Sequence, residues 1–137
     1  MLQPLLDTLH ESYHAHVARL RDGYWRALSE SGYAAVVLHS GTVRLRSQYD
    51  DCTWPLRVVP HFAHWVPLEW PDSALFVTRG GMPRLFAYRD RSFWERQPEP
   101  PWEHFADAFD TAEVESVEVI GREVRALRQL GRVALIA

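Results

Sequence analysis

The stretch "QYDDCTWPLRVVPHFAHWVPLEWP", residues 48 to 71, sets two adjacent carboxylates and the sole cysteine among three tryptophans and several prolines. Asp50 and Asp51 have the residue types of an acid/base dyad, but neighbouring residues rarely aim both side chains at one substrate, and such a pair before a proline-rich segment reads as a capping or turning loop. Cys52 follows those two acids, whose charges disfavour a thiolate nucleophile, so it is expected to be buried or incidental. "HSG", from His39 to Gly41, holds a base beside a nucleophile; adjacent residues of an extended chain face opposite ways, so His39 is not placed to activate Ser40. In "HESYHAH", His10 and His14 stand one helical turn apart, as zinc-binding helices arrange them, whereas His16 falls on another face. These are expected to be solvated helix histidines. His61 and His64, three apart in "PHFAHW", have no carboxylate partner nearby in sequence. "RGGMPR" is no phosphate loop, because its glycines lie within a hairpin. What remains is the aromatic density around the acids (Tyr49, Trp54, Phe62, Trp65 and Trp70), which reads as an association surface.

Composition narrows the classes. The chain has 137 residues, 47% apolar and 24% charged, with a formal charge of -3, which is the profile of one soluble globular domain. Its basic residues are scattered along the sequence, so no nucleic-acid footprint is read. All of them are arginine, which removes Schiff-base and lysine-base chemistry. A single cysteine rules out an intrachain disulfide. No signal-peptide pattern or membrane-length apolar run is present, so a cytoplasmic location is expected.

The elements that must position these residues read as α/β. From about Pro4 to Ser29, Leu5, Leu6, Leu9, Tyr13, Val17, Leu20, Tyr24, Trp25 and Leu28 recur three or four apart, predicting a long amphipathic helix that Gly32 stops. "YAAVVLHS" predicts a strand buried on both faces. "SALFVTR" and "PRLFAYR" around Gly80 to Pro83 predict a β-hairpin. Pro100 and Pro101 can open a short helix in "WEHFADAF". "VESVEVI" alternates as a half-buried strand does, "REVRALRQL" has helical spacing before Gly131, and "RVALIA" is a further strand. That apolar ending suggests a cut within a longer parent chain.

Taken in order, "HSG", "YDDCTWPLRVVPHFAHWVPL" and "PRLFAYRDRSFW" closely resemble the N-terminal domain of bacterial Xaa-Pro dipeptidases, the prolidases of the creatinase and aminopeptidase P superfamily. Val58, Pro60, Phe62, Trp65 and Pro67 match one family segment, and Pro83, Leu85, Ala87 and Tyr88 another. The resemblance covers nearly the whole chain, though none of these is a catalytic motif. It implies one domain over residues 1–137, a mixed β-sheet flanked by helices and ribonuclease H-like. It also implies that a C-terminal "pita-bread" domain, absent here, holds two divalent metal ions (Mn, Zn or Co) on two aspartates, a histidine and two glutamates and cleaves dipeptides ending in proline. The chain itself is then expected to hold no metal and no catalytic residue and to be inactive alone. It would build a homodimer and deliver Asp51, with Trp54 nearby, in trans to the dipeptide substrate. Arg57, Arg84, Cys52 and Thr53 depart from common family choices, leaving pocket shape and the preferred residue before proline open. The alternative is a stand-alone, non-catalytic interaction or ligand-binding module of the same fold.

Overall fold

A computed structural model describes residues 2–49, 51–89 and 105–137. Helix α1 (Leu2–Ser31) ends where Gly32, at φ 72°, turns the chain and donates to Leu28 O at 3.0 Å, the left-handed exit glycine adopts without steric cost. Strand β1 (Ala35–His39) follows at once. A proline-opened helix, α2 (Pro60–Trp65), precedes the antiparallel hairpin of β2 (Ala74–Thr78) and β3 (Arg84–Tyr88). A 3₁₀ turn (Ala106–Ala108) leads to β4 (Asp110–Val114), α3 (Val117–Arg128) and β5 (Val133–Ile136).

The five strands form one mixed sheet in the order β4-β3-β2-β1-β5. β1 pairs antiparallel with β2, Val37 opposite Phe76, and parallel with β5, Val37 opposite Leu135; β3 pairs parallel with β4. The period of two along β1 sends Val36 and Leu38 to one face and Val37 to the other. Val36, Leu38, Leu75, Val77 and Leu85 pack beneath Val17 and Leu28 of α1 and Phe62 and Trp65 of α2. Val37, Phe76 and Phe86 pack beneath Ile120, Val124 and Leu127 of α3. The strand expected to be buried on both faces is so because a helix layer covers each. No helix among the described residues is long and apolar enough to cross a membrane.

"VESVEVI" is a correction. The strand there is β4, ending at Val114, and α3 begins at Val117. Ser116 decides this locally by accepting the Glu118 backbone N–H at 3.2 Å as the helix N-cap. The alternating valines of "VEVI" also belong to a helical spacing, and Ile120, Val124 and Leu127 share the face that covers the sheet. Helix "WEHFADAF" lies partly outside the described residues, and "RQPEPPWEH" lies wholly outside them; the described end of "WEHFADAF" is the 3₁₀ turn. The stripe of α1 is buried only beyond its first turns, since Leu5 and Leu9 are exposed.

Candidate functional site

The loop from β1 to α2 carries the residues singled out beside the double aspartate. Arg44 to Trp54 folds into a small ladder: Leu45 bridges Thr53, the Arg46 N–H donates to Cys52 O at 2.9 Å, and the Trp54 N–H donates to Arg44 O at 2.8 Å. Its tip includes Tyr49, 88% exposed, and the exposed Asp51. Asp50 lies outside the described residues. Cys52 is exposed rather than buried.

At the root of the ladder, Trp54 lines a cleft of about 770 Å³ with His39, Thr42, Arg44, Arg46, Arg57 and Ala137. The Arg46 guanidinium carbon stands 5.0 Å over the Trp54 ring while its Nε donates to Thr53 O at 3.2 Å. The floor is pinned by Gly41, at φ 108°, whose carbonyl accepts from Asp72 N at 2.8 Å and whose absent Cβ would meet Arg57 O at 3.1 Å. Thr42 Oγ1 donates to Asp72 Oδ1 at 2.7 Å. The arginines look scattered in sequence, but three of them meet here: "VRLR" puts Arg44 and Arg46 on one side of an extended segment, and the fold adds Arg57. Guanidinium groups beside an indole suit a carboxylate or another anion.

The aromatic surface expected around the acids divides in two. Tyr49 and Trp54 are exposed, but Phe62, Trp65 and Trp70 are core residues. Phe62 and Trp65 go inside because α2 turns its apolar side onto the sheet, and Trp70, in the segment between α2 and β2, joins the same core cluster; aromatic density cannot disclose either. Ser40 is buried; its hydroxyl donates to Trp70 O at 2.7 Å and accepts from Ser73 N at 3.0 Å. It is thus a structural serine facing away from half-buried His39, as the alternation required.

The histidines separate into two groups. His16 Nε2 lies 2.8 Å from His64 O, joining α1 to α2, and His61 is exposed. His10 Nε2 lies 3.0 Å from Asp107 Oδ2 and His14 Nε2 2.9 Å from Asp107 Oδ1. Slight burial pushes the Asp107 carboxyl up, but hydrogen bonds to and charge on the two imidazoles outweigh it and hold it below its ordinary value. Sequence reasoning missed this convergence, although "HESYH" has the H-E-x-x-H form of metal-binding helices, Glu11 included. Asp107, 93 residues from His14, had no local signal.

A family model for the N-terminal domain of Xaa-Pro dipeptidase matches residues 11–137. The chain belongs to that family. Curated relatives agree: it is 33% identical over 106 residues to an Xaa-Pro dipeptidase of Pseudoalteromonas translucida, covering 77% of this chain and 24% of the relative. It is 35% identical over 105 residues to one from Shewanella sp. strain ANA-3, covering 73% and 24%. The chain thus spans about a quarter of the length of these relatives. In fold it is similar to zinc-substituted aminopeptidase P of E. coli in complex with product, with a TM-score of 0.56 and 18% identity, over 83% of this chain and 26% of that one. The residues that carried the family resemblance are largely packing residues: Phe62, Trp65, Leu85 and Ala87 are each 0% exposed. The family pattern is a fold signature.

Proposed function

We propose that this chain is the N-terminal domain of a metal-dependent Xaa-Pro dipeptidase and is inactive alone. It would form the homodimer and present the Asp51 tip to the dipeptide site of the partner subunit. The observation that carries this reading is the exposed hairpin tip with Asp51, set above a cleft that holds both Trp54 and Ala137. Any polypeptide continuing past Ala137 would start beside the arginines and the indole, so a following domain would be adjacent to this loop. A carboxylate there can pair with the ammonium of a dipeptide, and the arginines nearby can hold its carboxylate or order the loop.

The described residues of this chain do not fit a two-metal hydrolytic centre. Among the described residues only His10, His14 and Asp107 cluster as possible ligands, and their one carboxylate falls short of the several that a bridged pair of ions requires. In this reading hydrolysis would fall to a C-terminal domain of the parent enzyme, where a bound pair of divalent ions would supply an activated water.

The test is Asp51→Ala in the full-length parent enzyme, with release of free proline from Ala-Pro as the readout. Losing one charge-assisted contact to the ammonium, worth about 1.5–3 kcal/mol, should lower kcat/KM by about 10- to 100-fold. Unchanged kinetics would sink the assignment of Asp51.

A further inference from the structure

We propose that His10, His14 and Asp107 form a binding site for one divalent transition-metal ion of the zinc class, separate from the Asp51 cleft. Two imidazoles on one face of α1 converge on the two oxygens of one carboxylate, at 3.0 and 2.9 Å. All three ligand atoms lie within 4.8 Å of one another. Ligands 2.0–2.2 Å from a tetrahedral zinc stand about 3.3–3.5 Å apart. The two His–Asp spacings are within roughly 0.5 Å of that edge, and side-chain rotation closes the His–His gap.

The frame holding these groups is fixed on both sides. Tyr13, between the two histidines, donates to Trp65 O at 2.7 Å and stacks edge-on against Phe105, with ring centroids 6.4 Å apart. Phe105 is 0% exposed and Ala108 8%, so both flanks of Asp107 are anchored in the core. The helix face and the turn are therefore held opposite one another before any ion arrives.

Side-chain exposures of 40%, 34% and 60% for His10, His14 and Asp107 give an ion an entry path and leave the fourth position to water. Two imidazoles and one carboxylate suit Zn²⁺, Co²⁺ or Ni²⁺ better than Mn²⁺, Mg²⁺ or Ca²⁺. On binding, each neutral ring carries its proton on Nδ1 and turns the Nε2 lone pair to the metal.

The experiment titrates the EDTA-treated 137-residue chain with Zn²⁺ and with Mn²⁺ by calorimetry. Histidine imidazole signals are followed by NMR, and Co²⁺ is added to read visible d–d bands. Expected are one zinc equivalent, manganese at least tenfold weaker, tetrahedral-type cobalt bands, and zinc-induced shifts at His10 and His14. Asp107→Asn keeps the shape and leaves a hydrogen-bonding atom for each ring, an acceptor oxygen for one and a donor NH2 for the other tautomer, so it should preserve the fold by circular dichroism while weakening zinc at least tenfold. Absence of saturable binding, equal affinity in Asp107→Asn, or shifts confined to His61 and His64 would overturn the site. None of these readouts depends on dipeptide hydrolysis, so failure here leaves the proposed role of Asp51 standing.

Discussion

Ser40 and His39 are neighbours in sequence with opposite fates. The Ser40 hydroxyl satisfies Trp70 O and Ser73 N inside the core, and Ser40→Ala would leave both without it. Unpaired buried groups cost about 1–3 kcal/mol, so urea denaturation of Ser40→Ala should show that loss at an unchanged m-value. Glu118 gives a sign-specific pH effect. The Ser116 hydroxyl, and then a backbone hydrogen bond, hold its carboxyl below the ordinary value. A depressed folded-state pKa contributes stability that is present above the unfolded value, about 4.5, and lost as pH falls through the folded one. Ser116→Ala should therefore flatten the acid limb of the stability profile, measured as melting temperature against pH. These residues were legible in sequence only as types; their partners lie across the fold or depend on a helix start that alternation disguised.

Among the described α-helices, α2 is the shortest and one of the most deeply committed. Pro60 opens it, and Phe62 and Trp65, three apart, both turn onto the sheet face shared with α1. Phe62→Ala should cost about 3–5 kcal/mol, a large fraction of a domain's typical stability of about 5–15 kcal/mol; chemical denaturation checks it. At α3, loss of the Ser116 cap should cost about 1 kcal/mol and reduce helical circular dichroism near the transition. The hairpin, the long helix and the central strand were readable because period and turn residues agree there. α3 was read too late because "VESVEV" fits a period of two as well as a helix entry, and the cap and the sheet beneath it decide.

For the whole molecule, the sheet with one helix layer on each face sends the β1–α2 loop outward and brings Ala137 into the same cleft as Trp54. The purified chain, given Mn²⁺ and Ala-Pro, is expected to release no proline, assayed beside the full-length parent as a positive control; turnover by the chain alone would place the chemistry within these residues. The sequence by itself determined the α/β class, the main elements and family membership, because these rest on short-range periodicity and on core residues whose spacing the sheet imposes. Only the tertiary structure decided that Phe62, Trp65 and Trp70 are interior, that Arg44, Arg46 and Arg57 share a cleft, and that Asp107 meets His10 and His14. Such meetings join distant segments, and their geometry is set by which helix face packs on which side of the sheet, a choice that no local pattern records.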